Sequence, residues 1–363
     1  MNIIEATTGY EHWLAGHTRL IPADLKRKHA RMAESAFPFL RATFYRWIQL
    51  WPKVCPKLTG APRTLAVGDL HIENFGTWRD AEGRLAWGIN DFDEAFELPN
   101  TNDLVRLAAS ALLAINGEHL KLAGVEACDS ILEGYTKGIR EGGRPFVLAE
   151  DHAWLSVIVD HHRSDPAPFW KRIDDGMTAP RLRPPVPIAA ILRKAMPAGC
   201  RDFHCGPRVA GMGSLGKPRF VGMADLQGGL VAREDKVLTP SACTWALGKG
   251  RTMRSKYQEI LRTAVRCPDP HLQVKSGLVI RRLAPDSRKV ELSAAGGVGD
   301  EARLLRAMGR ETANVHLGSR GVIRAIRRDL ARRSPDWLRS AARDMKDATM
   351  EDWDHWRGVF RPA

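Results

Sequence analysis

The amino-acid sequence predicts an α+β protein of two lobes, in which a mainly helical region comes before a smaller β-rich region. Three observations predict this class. Apolar residues recur at helical spacing over residues 24–51. Residues 207–236 alternate strand-like runs with glycine-rich turns, after which the chain returns to helical patterns. We therefore expect a helical lobe over residues 1–200, a β-rich lobe over 201–295, and helices over 296–363 that pack on the first lobe.

Composition excludes several classes of protein. Of the 363 residues, 44% are hydrophobic and 27% are charged, which is too apolar for a disordered chain. No apolar run reaches the roughly 18 residues needed to span a bilayer, so no membrane partner is expected. The N-terminus lacks the basic and apolar regions of a secretory signal. The six cysteines form no Cys-x-x-Cys pair, which is typical of reduced thiols in a cytoplasmic protein.

The charge balance favours an anionic partner. The chain carries 55 Lys+Arg against 42 Asp+Glu, a formal net charge of +13. This excess suits a nucleic acid, a membrane surface or an anionic small substrate. Basic residues cluster at Lys26–Arg31 and again at Arg320–Arg333, where the simpler interpretation is a solvated helix face. Nucleic acid is the less favoured partner, because the chain has neither zinc-finger spacing nor an RNA-binding signature of aromatic and basic residues.

Cys200, His204 and Cys205 form a short cluster of metal-binding residue types. A zinc site needs a fourth ligand, and the sequence offers no obvious one. Ordinary loop residues are therefore the preferred interpretation of this cluster.

The elements follow in order along the chain. Pro38 interrupts the first helical segment, and Asn102-Asp103 is a candidate cap for an apolar helix. Prolines over 180–187 predict a linker. The other predicted elements are strands at 64–70 and 85–92 around a turn at 79–83, helices at 119–140, 149–164 and 188–196, one or two helices after residue 236, and a strand pair around 277–292.

The segment most informative about chemistry is Val67-Gly-Asp-Leu-His-Ile-Glu-Asn74, followed by Ile89-Asn-Asp-Phe-Asp-Glu-Ala95. Two short apolar strands each lead into acidic or amide groups, and pairing of the strands would bring these groups together. Several carboxylates with an amide suit a hard divalent cation such as Mg²⁺, which usually accompanies polyphosphate substrates. A further aspartate beside the metal can orient or deprotonate a hydroxyl. The alternative is a pair of turns whose polar side chains satisfy local backbone.

The pattern Gly-Asp-Leu-His-x-x-Asn, then Asp-Phe-Asp-x-Ala, then Asp-Leu resembles the catalytic core of aminoglycoside and choline kinases, and more distantly that of protein kinases. The resemblance implies that Asp69 is the catalytic base and that Asn74 and Asp91 hold Mg²⁺. It also implies that buried Asp103 braces the catalytic loop, while Asp93 is a second metal or substrate group. The chain departs from the pattern at Val67, where those kinases have a histidine.

A glycine-rich loop with the pattern Gly-x-Gly-Ser-x-Gly lies downstream, at Gly211, Gly213, Ser214 and Gly216. It falls between two strand-like segments rather than between a strand and a helix. This context favours a hairpin lid over phosphates instead of a dinucleotide-binding loop. Taken alone, the motif is equally typical of a plain hairpin turn.

The strand after this loop ends in Lys236, the expected position for a lysine that contacts nucleotide phosphates. Arg233 is the competing assignment, and a solvent-exposed edge lysine is the simpler alternative. Glu259, in the following helix, is the candidate ion-pair partner of Lys236, although a solvated helix position is equally compatible with it.

The whole chain resembles the bacterial domain-of-unknown-function family 2252, an uncharacterised group thought to be kinase-like. The resemblance implies a protein-kinase-like fold that is circularly permuted, with the catalytic lobe before the nucleotide lobe. Within it, Arg281 is expected to line the cleft, and Arg41 either binds an anion or pairs with an acidic loop residue. The segments that carry the resemblance are Arg31-Met32, 37–41, 67–76, 89–95, 103–110, 211–216, Lys236 with Pro240-Ser241, 279–283 and 313–316.

The expected function is ATP- and Mg²⁺-dependent phosphoryl transfer to an unidentified acceptor, either a small molecule or a protein hydroxyl, and the basic charge suits an anionic acceptor. Three alternatives stay open at this point: AMP transfer by the same fold, a non-catalytic nucleotide-binding protein, and a basic nucleic-acid-binding protein.

Overall fold

The computed structural model describes residues 1–160, 165–178, 182–248, 254–287 and 298–360. It has a mixed α+β architecture with small antiparallel sheets, as the sequence predicts. No helix in these ranges is long and apolar enough to cross a membrane.

Helices account for most of the described chain. In order they are α1 (Ile3–Ala15), α2 (Pro22–Glu34), α3 (Ala36–Ala42), α4 (Phe44–Val54), α5 (Asn100–Asn116), α6 (Gly124–Glu141), α7 (Leu148–Asp151), α8 (Ala153–Asp160), α9 (Ala167–Thr178), α10 (Val186–Lys194), α11 (Ala242–Ala246), α12 (Tyr257–Thr263), α13 (Val298–His316), α14 (Ile323–Arg332) and α15 (Trp337–Val359).

The strands form three antiparallel sheets. They are β1 (Arg63–Ala66), β2 (Phe75–Arg79), β3 (Leu85–Ile89), β4 (Phe96–Pro99), β5 (Phe146–Val147), β6 (Arg201–Pro207), β7 (Arg219–Leu226), β8 (Gly229–Val237), β9 (Gln273–Lys275) and β10 (Leu278–Leu283). The sheet orders are β1-β4, β2-β3-β5 and β6-β7-β8-β10-β9.

The predicted pairing of the two early strands is wrong. β1 pairs with β4, with Ala66 opposite Phe96, and β3 pairs with β2, with Ile89 opposite Phe75. The sequence reading missed β2 and β4 because each is short and lies directly beside a motif. The acidic segments still meet, because the loop after β1 and the loop after β3 both lie next to the β2–β3 hairpin.

α5 is the central helix of the first lobe. Of the fourteen residues from its start to Leu113, all but Leu112 are buried, so the helix is enclosed on nearly all sides. The helix begins at Asn100, after Pro99, rather than at the predicted Asn102-Asp103 cap, which places Asp103 in its first turn.

The C-terminal helices pack on this lobe. α13 lies along α6, and the contact is close because of glycines: a Cβ on Gly134 would lie 1.9 Å from the Arg306 carbonyl oxygen, and one on Gly309 would lie 2.1 Å from that of Ile131. α15 packs on α5 and α4, where Arg46 Nε donates to Asp352 Oδ2 over 2.7 Å.

Other predicted elements differ from the structure in detail. The segment predicted as one helix over 149–164 holds α7 and α8, and residues 161–164 lie outside the described ranges. Of the predicted linker, residues 182–185 have no regular structure and α10 begins at Val186. The late strand pair is β9–β10, a few residues earlier than expected, and residues 288–297 again lie outside the description.

Candidate functional site

The loop that follows β1 is held from below by Asp103. Its carboxylate accepts the Val67 N–H at 2.7 Å and the Gly68 N–H at 3.0 Å, and it lies 3.0 Å from His316 Nε2. Asp103 and His316 are both fully buried. Gly68 has φ +82°, and a Cβ there would lie 2.4 Å from the Glu94 carbonyl oxygen, so this turn requires glycine. The contact of Asp103 with the loop is the one that the resemblance implies.

Asn74 joins the two acidic loops. Its Nδ2 donates to the carbonyl oxygens of Asp69, at 3.2 Å, and Asp91, at 3.0 Å, while its Oδ1 accepts the Asp91 N–H at 3.0 Å. The predicted metal ligand is therefore engaged with backbone on both sides. What the side chain does in this structure is fix the separation of the Asp69 and Asp91 loops.

Asp69 lies at the cavity with a buried arginine behind it. Arg106 of α5 is fully buried, and its Nε donates to Asp69 Oδ1 at 2.9 Å. Arg106 also donates to the Leu40 carbonyl oxygen at 2.9 Å and stacks against Phe44 and Trp47. Burial raises the pKa of Asp69, and the Arg106 charge opposes that rise. The sequence analysis missed Arg106, and a lone arginine within the apolar run LVRLAASALLAI was the available signal.

Lys236 of β8 faces the second acidic loop. Its ammonium donates to Asp91 Oδ2 at 2.7 Å and lies 2.7 Å from Asp93 Oδ1. The Asp93 contact is an ion pair, and Asp93 Oδ1 accepts no hydrogen bond from the described residues. The β-rich and helical lobes thus meet at this lysine, whose side chain is 5% exposed.

The pKa values of Asp91 and Asp93 are shifted in opposite directions. Burial alone would raise the pKa of Asp91, but the Lys236 ammonium, supported by Arg281, holds it well below its usual range. Burial and the neighbouring Asp91 charge raise the pKa of Asp93. Lys236 therefore favours the ionised form of Asp91 more strongly than that of Asp93.

The glycine-rich loop joins β6 to β7 and closes onto the helical lobe. A Cβ on Gly213 would lie 3.7 Å from Asp69 Oδ2, so the loop reaches the predicted catalytic base. Gly216 has φ +97°, its carbonyl oxygen accepts the Ile21 N–H at 2.8 Å, and a Cβ there would meet Leu25 at 2.4 Å. Gly211 also has a positive φ, of +77°.

Ser214 and the apolar residues of the loop are engaged within the structure. Arg219 Nη2 donates to Ser214 Oγ at 2.6 Å, and Ser214 Oγ donates to the Ala210 carbonyl oxygen at 3.3 Å. Met212 and Leu215 are buried in the main hydrophobic core. The loop is thus anchored by its apolar side chains and presents its backbone to the cavity.

Arg281 lines the cavity, as expected, and belongs to a cluster of three arginines around one carboxylate. Glu234 is fully buried and accepts from Arg281 Nε at 2.7 Å and Arg219 Nη1 at 3.1 Å, and it lies 2.8 Å from Arg208 Nε. Burial alone would raise the pKa of Glu234, but the arginines hold it well below the usual range. One carboxylate against three guanidinium groups leaves this face of the sheet positive.

The contacts of Arg41 and Arg233 bear on two alternatives that the sequence left open. Arg41 pairs with Glu73, an acidic residue of the Asp69 loop, while also lining the cavity. Arg233 points to the other face of β8, where its Nε donates to the Ala195 carbonyl oxygen at 3.1 Å. Arg233 therefore does not compete with Lys236 for the carboxylates of Asp91 and Asp93.

The assignment of Glu259 as partner of Lys236 is wrong. The Glu259 side chain is 43% exposed, and its carboxylate accepts from Lys256 at 2.7 Å, three residues before it on the chain. Lys236 turns instead to Asp91 and Asp93, because α12 presents Glu259 to solvent rather than toward β8.

The site lines a cavity of about 200 Å³ between the lobes. Glu94, which the sequence analysis missed, contributes to its wall and accepts from Ser241 Oγ at 2.8 Å and the Ala242 N–H at 2.6 Å. Burial raises the pKa of Glu94 to about 7. The lining residues are Tyr10, Lys28, Arg41, Ala42, Phe44, Tyr45, Val67, Asp69, His71, Asn74, Asn90, Asp91, Asp93, Glu94, Arg208, Ala210, Gly211, Met212, Gly213, Ser214, Lys217, Arg219, Ala242 and Arg281.

A self-contained metal centre is absent from the part of the chain that the structure describes: no three His, Cys, Asp or Glu side chains lie together as ligands there. Cys200 and Cys205 are partly exposed thiols, and His204 Nε2 lies 3.2 Å from Asp174. A cation bound by Asp91 and Asp93 would therefore need further ligands from a substrate.

Comparison with known proteins gives one match. Residues 19–165 match the model of a family described as uncharacterized protein conserved in bacteria (DUF2252). The matched segment contains Asp69, Asn74, Asp91 and Asp103, and it ends before the five-stranded sheet. No curated protein and no solved structure matches the chain. Over residues 19–165 the chain is thus similar to this bacterial family.

Proposed function

We propose that the protein is an ATP- and Mg²⁺-dependent phosphotransferase with a kinase-like, permuted arrangement of two lobes. The observation that carries the proposal is the meeting of Lys236 with Asp91 and Asp93, each at 2.7 Å. Both aspartates line a cavity that also holds Asp69 and the glycine-rich loop. A lysine, two carboxylates, a backbone lid and a spare aspartate are the parts that phosphoryl transfer uses for positioning and charge stabilisation.

The reaction assigns one role to each group. The acceptor hydroxyl oxygen forms a bond to the γ-phosphorus, the bond from that phosphorus to the β–γ bridging oxygen breaks, and ADP leaves. Asp69 orients the hydroxyl and takes its proton, a role that its raised pKa favours. Lys236 and the backbone of the loop at Gly211–Gly216 position the phosphates. Arg106 and Asp103 hold the Asp69 loop in place.

The donor set is compatible with magnesium bound together with a nucleotide. Mg²⁺ prefers oxygen ligands and is usually held by one or two carboxylates plus substrate phosphates. Lys236 lowers the pKa of Asp91, whose side chain is 41% exposed, and Asp93 Oδ1 accepts no hydrogen bond from the described residues. When bound, the cation would neutralise charge on the phosphates. Asn74 contributes by holding the Asp91 loop, since its amide is engaged with backbone.

Nucleotide binding requires the glycine-rich loop to move. The cavity of about 200 Å³ lies below the range of about 300–1,000 Å³ that is typical of ligand pockets. Gly213 packs close to Asp69, where the transferred group must lie. We therefore expect the loop to lift when the nucleotide enters and to return over it afterwards.

The test is the change in melting temperature caused by millimolar ATP with Mg²⁺. Wild type is expected to be stabilised, since a ligand that binds only the folded state raises its stability. Lys236→Met and Asp91→Asn should lose most of the shift. Matched controls are Lys275→Met, an exposed lysine of the same sheet, and Asp347→Asn, an exposed aspartate of α15; both should shift as wild type does.

Absence of a shift in wild type, or equal shifts in all five proteins, would contradict the nucleotide site. Transfer itself is measured by the mass gained by an acceptor when the protein is incubated with ATP, Mg²⁺ and a pool of small alcohols. A nucleotide-dependent shift without any mass gain would favour the non-catalytic alternative.

AMP transfer is the second candidate, and one observation favours it. The apolar half of the inner face of the five-stranded sheet, including Val221 and Met223, is covered by Ile173 and Met177 of α9. The half left to the cavity carries the arginines around Glu234. Phosphates suit this positive surface better than a nucleobase does, so the phosphates rather than the base would lie against the sheet. The nucleotide would then bind in the direction opposite to the one that phosphoryl transfer uses. An AMP-sized mass gain, in place of a phosphoryl-sized one, identifies this reaction.

A further inference from the structure

Lys28 is a buried cation that the proposed reaction does not use. It belongs to α2, is 4% exposed, and lines the same cavity as Asp69. Over the described ranges its ammonium has no hydrogen bond and no ion pair. Among the neighbouring charges, Glu11 has the largest effect on the pKa of Lys28. The Glu11 carboxylate, however, is paired with His29 at 2.7 Å. A desolvated ammonium without a partner is costly, so its retention at a cavity wall points to a ligand.

The surroundings of Lys28 add donors for an anion. Lys217 lines the same cavity, is 9% exposed and contacts Thr239 Oγ1 at 3.4 Å and Asp93 at 3.8 Å. Tyr10 also lines it, and its hydroxyl has no hydrogen-bond partner among the described residues. Burial and the Glu94 charge raise the pKa of Tyr10, so the hydroxyl stays protonated and can donate. The cavity thus offers two ammonium groups, that of Lys28 on α2 and that of Lys217 between β6 and β7, together with the phenol of Tyr10 on α1.

The same cavity also has acidic walls, which restrict what can bind. Four carboxyl groups line it, so an anion without a hydroxyl group would offer these groups no donor; they belong to Asp69, Asp91, Asp93 and Glu94. A ligand that places a hydroxyl at these carboxyl groups and a negative group at Lys28 satisfies both sets. Hydroxyl groups donate to carboxylates, and charged oxygens accept from ammonium groups with stronger hydrogen bonds than neutral ones make.

We propose that Lys28, together with the Tyr10 hydroxyl, binds an anionic group of the acceptor, so that the acceptor is a small molecule with both a hydroxyl and a carboxylate or phosphate. The identity of this site as an acceptor site rests on the proposed phosphotransferase function. The binding of a small oxyanion at Lys28 does not, and can be measured without nucleotide.

The experiment measures the melting temperature and dissociation constant of the full chain with inorganic phosphate and, separately, with malonate. The proteins are wild type, Lys28→Met, Tyr10→Phe, and Lys26→Met as the matched control, since Lys26 is an exposed lysine of the same helix. Lys28→Met is expected to weaken anion binding about tenfold or more, and Tyr10→Phe several-fold, because each removes a hydrogen bond to a charged group. Lys26→Met should bind as wild type does.

Folding of the variant is part of the readout. Without ligand, Lys28→Met should melt at or above the wild-type temperature, since it removes a buried charge that lacks a partner. A dominant response to phosphate assigns a phosphorylated acceptor, and a dominant response to malonate assigns a carboxylate. If neither anion stabilises wild type, or if Lys28→Met loses no more affinity than Lys26→Met, the subsite does not exist.

The nucleotide arm separates the two proposals. In the ATP and Mg²⁺ experiment, Lys28→Met should keep the shift that Lys236→Met loses. A phosphate response that depends on Lys28 but no ATP response in wild type would leave the oxyanion site standing and remove the phosphotransferase. An ATP response that depends on Lys236 but an anion response indifferent to Lys28 would do the reverse.

Discussion

A buried side chain, that of Arg106, holds the Asp69 carboxylate and opposes the rise in its pKa that burial causes. Arg106 is fully buried, and two of its nitrogens contact Asp69 while one also reaches the Leu40 carbonyl oxygen. Aromatic rings of α4 cover the guanidinium plane. A buried guanidinium that lost its carboxylate, or the reverse, would be an uncompensated charge, so the pair acts as one structural unit.

Arg106→Met is therefore expected to destabilise the protein by about 3 kcal/mol, because Asp69 loses its counter-charge and the cation–ring contacts disappear. The free energy of unfolding in urea measures this. The matched control is Arg339→Met, which breaks an exposed pair with Asp129 and should destabilise the protein clearly less than Arg106→Met does. Equal losses in the two variants would show that the Asp69–Arg106 pair does not support the fold.

Glu94 gives the protein a measurable dependence of stability on pH. Burial raises its pKa from 4.5 to about 7 in the folded protein, so between these pH values the folded state binds more protons than the unfolded state. Stability from this group is therefore greatest at low pH and falls as pH rises through the window from 4.5 to 7. Glu311 and Asp235, whose pKa burial also raises to about 7, act in the same direction.

Glu94→Gln should remove the contribution of Glu94 to the pH dependence of stability. Glutamine can keep the acceptor contacts to Ser241 and Ala242 through its carbonyl oxygen. The difference in unfolding free energy, variant minus wild type, is expected to increase by about 1–3 kcal/mol from pH 4 to pH 8, since Glu311 and Asp235 contribute equally to both proteins. Urea unfolding across this range measures it. A difference that stays constant with pH would mean that Glu94 is ionised at an ordinary pKa.

At the scale of residues, local motifs were readable from sequence and long-range partners were not. Asp69, Asn74 and Asp91 lie within two short segments, so their spacing already places them together. Arg106 is 37 residues from its partner, and its pairing depends on how α5 crosses the loop. Glu259 was misassigned for the same reason, because helical periodicity alone does not say which face of α12 meets β8.

At the scale of elements, the glycine-rich loop packs closely against Leu25 of α2 at Gly216. Gly216 combines φ +97° with a Cβ position 2.4 Å from Leu25. Gly83 is the matched comparison, since it has φ +74° but no atom within 4 Å of its Cβ position. The two glycines share the backbone requirement and differ in what a side chain would meet.

Gly216→Ala is therefore expected to cost about 2–3 kcal/mol, and Gly83→Ala only about 1 kcal/mol. The excess reports the docking of the loop on α2, because the strain of a positive φ is common to both variants. Unfolding in urea gives both values. If the two substitutions cost the same, the loop is not packed against Leu25 in solution.

Pairing of short strands is the part of the fold that sequence patterns did not predict. β4 has four residues and follows an acidic motif, so it carries too few alternating positions to be recognised. The five-stranded sheet was easier, because Gly-rich turns mark the ends of β7 and β8 and the strands are longer. The helices α5 and α6 are long and strongly patterned, which is why only their boundaries differed.

At the scale of the whole molecule, the five-stranded sheet depends on the helical lobe. The apolar cluster of its own is small, consisting of Ile173, Met177, Val221, Met223, Ala232 and Leu283. The other contacts of the β-rich lobe are with the helical lobe. Met212 and Leu215 enter the main core, Lys236 pairs with Asp91 and Asp93, and Ser241 donates to Glu94. A cluster of this size cannot offset the conformational entropy of ordering a sheet by itself.

The two lobes are accordingly expected to unfold together. Scanning calorimetry of the full chain should show one transition, with calorimetric and van't Hoff enthalpies in agreement. Two separate transitions would mean that the sheet is stable without its contacts to the helical lobe.

Lys236→Met tests the coupling between the lobes directly. Because Lys236 joins the lobes through ion pairs with Asp91 and Asp93, its loss should lower the single melting temperature. Lys275→Met, at the exposed edge of the same sheet, should leave the melting temperature unchanged. Since ATP would bind between the lobes, the ligand that the site is proposed to hold should raise the temperature of this one transition rather than split it.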